Sequence, residues 1–182
     1  FYVVNYLFGG GPAPHVRTSR GAATASKAEP LSGSVSLGGA VRRDGRWFVP
    51  VNLTMDAGSR VPQSLSLRVA FRGETDAVAM HRGAGLDPAF EISRRTADAI
   101  SYLISFNGQA PLVLDSSRSV TVAEIEVSAP GTVRMDVDPS LTMLVGSDGA
   151  SKATVANRTL RVNGTTINER DGAAPRGRTN QQ

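Results

Sequence analysis

The sequence predicts an all-β domain, an antiparallel β-sandwich of the jelly-roll type with about nine strands. The first observation is alternation. In residues 46–55 and again in residues 64–72, large apolar side chains occupy the odd positions. Successive side chains of a strand point to opposite faces, so each run has one face for a core and one for water. The second observation is that turn-forming pairs separate such runs, and no segment keeps a helical period over three turns.

The sandwich is expected to occupy residues 34–163 and to open with a strand from Val35 to Val41 that has a bulge or kink at Gly38-Gly39. Asp44-Gly45 is a hairpin-turn signal that leads into the next strand. Pro50 lies within that strand, and because proline has no N–H to donate, an edge position or a bulge is predicted there. One helical turn is expected at residues 87–89, with an aspartate as its cap.

A change of phase marks the strand over residues 120–127. Val120 and Val122 share one phase of the alternation, whereas Ile125 and Val127 share the other. A regular strand keeps one alternation along its whole length, and an extra residue shifts that alternation by one position. This change of phase therefore predicts a β-bulge.

The residue inventory argues against catalysis. The chain has no cysteine and two histidines, His15 and His81. His15 lies in a linker, and His81 ends a short strand where a surface position is expected. Neither a Ser–His–Asp arrangement nor a zinc site is therefore indicated. We expect a protein that is not an enzyme and that uses no metal and no cofactor.

Two groups of carboxylates are candidate sites. Asp136 and Asp138 share a face, and with Asp148 they are a candidate calcium site, although the spacing of known calcium loops is absent. Glu124 and Glu126 also share a face, where a solvated surface is favoured over a glycosidase pair.

Residues 1–8 form an apolar, aromatic segment that we expect to anchor the protein. The anchoring residues are Phe1, Tyr2, Val3, Val4, Tyr6, Leu7 and Phe8. Aromatic rings with a polar tip favour the membrane–water interface. The segment is interpreted as the stub of a membrane helix or an interfacial anchor, as a peptide that docks on a partner, or as a first strand of the domain.

The remaining segments are polar. Residues 9–33 are rich in Gly, Ala, Ser, Thr and Pro and are predicted to be a linker, since they offer little apolar area to bury. Residues 164–182 are predicted to be a basic tail, in which Arg170, Arg176 and Arg178 contact a partner.

Arginine supplies most of the positive charge, and the formal net charge is +4. Nucleic-acid binding needs aromatic side chains among the basic ones. Trp47 and Tyr102 fall on core phases instead, so we expect no nucleic-acid partner. Several arginines cluster near turns and are interpreted as a solvated or partner-facing rim: Arg42, Arg43, Arg94, Arg95, Arg158 and Arg161.

The strand pattern resembles that of cohesin domains. Residues 47–54 resemble the V-x-V-P-V second strand of these domains, and residues 65–71 resemble the strand that follows. The resemblance covers residues 34–163, and related carbohydrate-binding modules with a jelly-roll fold share much of it. It implies a nine-stranded jelly roll used for binding. Cohesins of cellulosomes bind dockerins through one sheet face.

The leading hypothesis is a non-catalytic structural subunit of the bacterial cell envelope. It would sit on the periplasmic side of the inner membrane, touch the membrane surface through its N-terminus and bind integral membrane proteins. A bacterial photosynthetic reaction-centre–light-harvesting complex is one such assembly. The alternative is a secreted or surface adhesion module, cohesin-like or carbohydrate-binding.

Overall fold

The computed structural model describes residues 30–163, apart from residues 76, 107–110, 130, 148 and 157 and the side chains of Ala77 and Asn163. Within these ranges the chain forms thirteen strands and no helix. The strands are β1 (Gly33–Leu37), β2 (Val41–Arg43), β3 (Arg46–Met55), β4 (Ser64–Arg72), β5 (Ala77–Arg82), β6 (Phe90–Arg95), β7 (Ala99–Ser105), β8 (Ser119–Ser128), β9 (Thr132–Val137), β10 (Met143–Gly146), β11 (Gly149–Lys152), β12 (Thr154–Ala156) and β13 (Thr159–Asn163).

Two sheets pack face to face. The six-stranded sheet has the order β12-β1-β3-β8-β5, with β2 also paired to β3. The seven-stranded sheet has the order β11-β10-β4-β7-β6, with β9 paired to β4 and β13 paired to β9. All of these pairs are antiparallel except the parallel pair of β1 with β12. The predicted all-β sandwich is confirmed, and the larger number of strands comes from short segments such as β2, β11 and β12.

The core lies between the sheets and uses the predicted phase. In β3 the side chains of Val49, Val51 and Leu53 are fully buried, and in β4 Leu65 and Val69 are as well. The residues that alternate with them along β3 and β4 are mostly polar, and they face outward. Removal of apolar area from water contributes about 25 cal/mol per Å² to the stability of a fold. The apolar surface buried between the two sheets is therefore the main source of the stability of the sandwich.

The bulge predicted in the strand over residues 120–127 is confirmed. Val51 of β3 pairs with Ala123 of β8, but the next residue, Asn52, pairs with Thr121. Val122 is therefore the extra residue, and both Val122 and Ala123 are buried. The bulge lets two successive side chains enter the core, which explains the phase change.

Pro50 is tolerated for a reason the sequence did not reveal. Its strand, β3, lies inside the sheet rather than at an edge. The carbonyl of Pro50 accepts a hydrogen bond from the Gly38 N–H at 2.8 Å, so its ring nitrogen faces the same side. On that side of β3, the segment between β1 and β2 is not part of the sheet. No hydrogen bond from a backbone N–H of residue 50 is therefore required there.

Three local expectations are corrected or refined. The strand expected from Val35 to Val41, with a bulge or kink at Gly38-Gly39, is two strands that are separated at these glycines. The helical turn expected at residues 87–89 does not form, because the chain there leads directly into the edge strand β6. The Asp44-Gly45 turn is confirmed, since both residues have positive φ, 50° and 79°, as a two-residue hairpin requires.

The sandwich starts slightly before residue 34. Leu31, which the sequence assigns to the linker, packs into the core, and the Ser32 N–H donates to Ser59 Oγ at 2.9 Å. No helix in the described ranges has the length and hydrophobicity needed to span a bilayer. The anchor residues 1–8, most of the linker and the tail residues 164–182 lie outside the described residues.

Candidate functional site

The two outer faces of the sandwich differ in how their charges are arranged. On the six-stranded sheet, Arg43 Nη2 lies 2.8 Å from Glu124 Oε1. Glu126 contacts Arg46 through one oxygen and His81 Nε2 through the other, at 2.7 Å. These contacts confirm that the two glutamates share a solvated face and that His81 is on the surface. The cations and carboxylates of this face pair with one another.

The electrostatics of Glu126 follow from these contacts. The hydrogen bond from His81 lowers the pKa of Glu126, and Arg46 lowers it further, which outweighs the opposing effect of burial. Arginines of β2 also lie over aromatic rings of β3. On the outer face the guanidinium carbon of Arg43 is 4.0 Å from the Phe48 ring centre. Arg42 lies 5.9 Å from the ring centre of Trp47, its cross-strand partner, on the core-facing phase. This face is therefore occupied by its own intramolecular contacts.

The outer face of the seven-stranded sheet has apolar side chains at one end. They form two rows that run across the strands, here called the apolar rows. One row consists of Met143, Ser66, Leu103 and Ile92, and the next consists of Val145, Ser64, Ser105 and Phe90. The serines are small and leave a shallow surface between the larger side chains.

Exposure in the apolar rows increases towards the sheet edge. Leu103 is 7% exposed, whereas Phe90 on β6 is 49% exposed. The Ser64 hydroxyl donates to Ser105 Oγ at 2.8 Å, so the hydroxyls between the apolar side chains bond to each other. Removing water from a sheet face costs little free energy when its side chains are apolar and its polar groups bond to each other. Such a face is suited to a protein interface.

The other end of the same face is dominated by arginine. Arg72 of β4 lies directly opposite Arg134 of β9, and Arg134 lies directly opposite Arg161 of β13. We call these three residues the arginine row. Two further arginines flank it: Arg68 on β4, and Arg158, whose carbonyl accepts from the Val137 N–H.

A groove of about 360 Å³ lies beside this row, between β4, β9 and the start of β13. Two carboxylates line it. Asp136 accepts a hydrogen bond from Arg134 Nη2 at 3.0 Å, and Arg134 Nε makes an ionic contact with it at 2.9 Å. Asp138 accepts from the backbone N–H and the hydroxyl of Ser140, at 2.9 and 2.6 Å.

Both carboxylates are held in the charged form. The hydrogen bond from Thr159 lowers the pKa of Asp136, with burial opposing it and Arg134 and Arg72 adding to it. Burial raises the pKa of Asp138, but the Ser140 hydrogen bonds and nearby arginines outweigh burial, so the net shift is downward. Negative charge is stabilised here first by hydrogen bonds from Thr159 and Ser140, and the nearby arginines add to this effect.

The structure describes two of the three calcium candidates. Asp148 lies outside the described residues, and Asp136 and Asp138 are bonded to neighbouring protein groups. Among the described residues, no group of three or more His, Asp or Glu side chains is placed to hold a metal ion. The predicted contact residues at the termini, Phe1 to Phe8 and Arg170 to Arg178, lie outside the described residues.

Sequence reasoning missed the apolar rows, although one signal pointed to them. Leu103 falls between Ser101 and Ser105 on the polar phase of β7, where a large apolar residue is out of place. Ile92 pairs with it from β6, a strand that was not predicted. Tyr102 and Trp47 do lie on the core side, as expected, with Tyr102 buried and Trp47 packed against the core.

Comparisons with known proteins identify the fold. No protein-family model and no curated protein matches the chain. Among solved structures, a non-cellulosomal cohesin from the hyperthermophilic archaeon Archaeoglobus fulgidus is similar, with 12% identity and a TM-score of 0.55 over 72% of this chain and 91% of that one. A cohesin module from a Clostridium perfringens family 33 glycoside hydrolase has 9% identity and a TM-score of 0.48 over 74% and 97%. The similarity to the archaeal structure, together with the two packed sheets, shows a cohesin-like β-sandwich fold.

Proposed function

We propose that this domain is a non-catalytic protein-binding module whose partner covers the outer face of the seven-stranded sheet. The observation that carries the proposal is the pair of apolar rows on a face that would otherwise be polar. Phe90 and Ile92 lie on the edge strand β6 and continue the surface of Leu103. A few side chains that become fully buried supply most of the affinity of a protein interface, and aromatic ones are prominent among them.

The contrast between the two sheets supports this choice of face. On the six-stranded sheet Glu124 is already paired with Arg43, and Glu126 is already paired with Arg46 and His81, so these charged groups are engaged within the domain. The cohesin-like fold agrees with a binding role, since the similar archaeal structure is described as a cohesin.

The test uses capture of partners from extracts of the source organism by the full chain. Phe90→Glu places a charge in the apolar rows. Val41→Glu is the matched control, because Val41 is 54% exposed on the opposite sheet and Phe90 is 49% exposed. We expect a partner that binds the wild-type chain and the control, and that is lost with Phe90→Glu. Equal binding to all three proteins would reject this face.

As a cellular setting, we propose the bacterial envelope, with the domain tethered through its N-terminal segment. Phe1, Tyr6 and Phe8 are aromatic, and the segment that follows them is rich in Gly and Ala. An aromatic segment of this kind favours a membrane interface or an apolar groove on an integral membrane protein. Deletion of residues 1–29 should release the protein from the membrane fraction, and retention there would reject the tether.

The hypothesis of an extrinsic subunit in a photosynthetic complex receives no support from the similar structures and stays a prediction from the sequence. The carbohydrate-binding alternative needs an exposed aromatic platform. Among the described aromatic residues, Phe90 is the exposed one, and Trp47 packs against the core under Arg42. A single phenylalanine flanked by aliphatic side chains favours a protein partner over a sugar.

A further inference from the structure

The arginine row places like charges directly opposite one another on three adjacent strands. Arg72, Arg134 and Arg161 come from β4, β9 and β13, and neighbouring strands are about 4.8 Å apart. Like charges in direct cross-strand pairs destabilise a sheet. In the isolated domain this arrangement costs stability, so an anion that neutralises the row would recover it.

The protein's own carboxylates do not neutralise the row. Within the described residues, Arg134 forms an ion pair with Asp136, whereas Arg72 and Arg161 form none. The groove is lined by three arginines and two carboxylates, which leaves a net charge of +1: Arg72, Arg134, Arg158, Asp136 and Asp138. Two more arginines lie next to this lining, since Arg68 acts on the charge of Asp138 and Arg161 pairs with Arg134. On the six-stranded sheet, by contrast, Glu124 and Glu126 each contact an arginine.

We propose that the arginine row is an anion site that binds carboxylate side chains from an acidic segment of the partner protein. This inference rests on the proposed function and specifies the chemistry of the partner. A guanidinium presents parallel N–H donors that match a carboxylate in a bidentate pair. Arg72 and Arg161 flank Arg134 on either side, so two acidic side chains spaced along an extended segment would each meet one of them.

The groove has room for such side chains. Ala70 lies between Arg68 and Arg72 on the outward phase of β4 and pairs with Asp136. Its methyl group is small, so the groove beside the row has a low floor. Arg72 and Arg158 line the groove without a salt bridge of their own among the described residues, so they are the arginines that an entering carboxylate would pair with.

Several features favour an acidic protein over a nucleic acid. Asp136 and Asp138 lie inside the groove, where they would repel a continuous phosphate backbone. No aromatic ring of the described residues stands among the arginines to stack on bases. The apolar rows share the same sheet face, with Ser66 of β4 two residues before Arg68, so one protein surface can cover both.

The chain's own termini are poor candidates for the acidic segment. Residues 1–29 contain Arg17, Arg20 and Lys27 against one carboxylate, Glu29. Residues 164–182 contain three arginines against two carboxylates. Both segments carry net positive charge and would be repelled by the row, which favours a different protein as the partner.

The test measures binding of a fluorescein-labelled hexaglutamate peptide to the full chain at low salt, by fluorescence anisotropy. The variant Arg72→Gln/Arg161→Gln removes two charges from the row. The variant Arg42→Gln/Arg82→Gln removes two charges from the six-stranded sheet and is the matched control. We expect the first variant to weaken binding by about tenfold, the effect of 1.4 kcal/mol, and the control to stay within about twofold.

A further variant tests the groove rather than the charge. Ala70→Leu keeps every arginine but fills the floor, and we expect it to weaken hexaglutamate binding as well. Equal weakening in the row variant and the control would show nonspecific attraction and overturn the inference. Absence of hexaglutamate binding would overturn it too, as would tighter binding of oligothymidylate at the same arginines.

These outcomes are separable from the proposed function. If hexaglutamate binds through the row but Phe90→Glu leaves partner capture unchanged, the anion site stands and the proposed binding face fails. If Phe90→Glu abolishes partner capture while the row variant leaves both capture and hexaglutamate binding unchanged, the module stands and the anion site is rejected.

Discussion

Gly83 lies against the backbone of Thr121, so close that a β-carbon at position 83 would be 1.8 Å from the Thr121 carbonyl oxygen. The Gly83 N–H also donates to the Val122 carbonyl at 3.1 Å, immediately beside the bulge in β8. The chain after β5 is therefore held against the bulge by contacts that only glycine permits.

Gly83→Ala should lower the free energy of unfolding by about 1–3 kcal/mol or more, because the clash is with backbone and must be relieved by a shift of β8. Gly39→Ala is the control, since nothing lies within 4 Å of a β-carbon there. Chemical denaturation compares the two. Equal stability of both variants would contradict the contact with Thr121.

The acid sensitivity of the six-stranded sheet depends on Glu126. His81 and Arg46 lower its pKa below the ordinary value of 4.5, so the folded state binds a proton less readily than the unfolded state. The resulting stability is present above about pH 4.5 and is lost as the pH falls through the folded pKa.

We expect Glu126→Gln to reduce the loss of stability between pH 5 and pH 3, by at most about 1 kcal/mol because its partners are exposed. Glu74→Gln, on the exposed loop after β4, is the control and should keep the wild-type pH profile. Denaturation curves at several pH values measure the effect. An unchanged slope in Glu126→Gln would count against the pairing with His81 and Arg46.

Leu65 lies at the centre of the seven-stranded sheet, paired with Ile104 on one side and Leu144 on the other. All three side chains are fully buried. Leu65→Ala should cost about 2–5 kcal/mol, from lost apolar burial and the cavity left behind. Val113→Ala, at a site 76% exposed, should change stability by less than about 0.5 kcal/mol. Thermal unfolding distinguishes these outcomes, and similar losses in both variants would refute the position of Leu65.

Ser59 holds the segment that precedes β1 against the sandwich. Its buried hydroxyl accepts from the Ser32 N–H at 2.9 Å and lies 3.0 Å from the Pro30 carbonyl, to which it donates. Ser59→Ala should cost about 1–3 kcal/mol, because the Ser32 N–H loses its acceptor, whereas the Pro30 carbonyl still accepts from the Arg60 N–H at 3.1 Å. Hydrogen exchange should accelerate in β1, while Ser93→Ala on the exposed edge strand leaves it unchanged. Normal protection of β1 in Ser59→Ala would exclude this role.

Much of the fold was predictable because strand alternation is a local property. The period of two in β3 and β4 identified the buried side chains, and the phase change around Val122 identified the bulge. Strand β6 was missed because its residues are mostly exposed and it owes its conformation to pairing with β7. The interruption opposite Pro50 was likewise invisible, since it depends on where two other strands end.

The candidate site was less predictable than the fold. Leu103 could have been noticed as an apolar residue on a polar phase, but its neighbours Ile92 and Met143 come from strands distant in the sequence. The arginine row gives no local signal, because single arginines on outward positions are ordinary in strands.

The sequence by itself determined the all-β class, the inward-facing residues and the residue types available for chemistry, because side-chain alternation and composition do not depend on distant contacts. The tertiary structure decided which outward side chains became neighbours. Arg72, Arg134 and Arg161 share a row only because of the register between β4, β9 and β13. Register is set by hydrogen bonds and core packing across strands far apart in the chain.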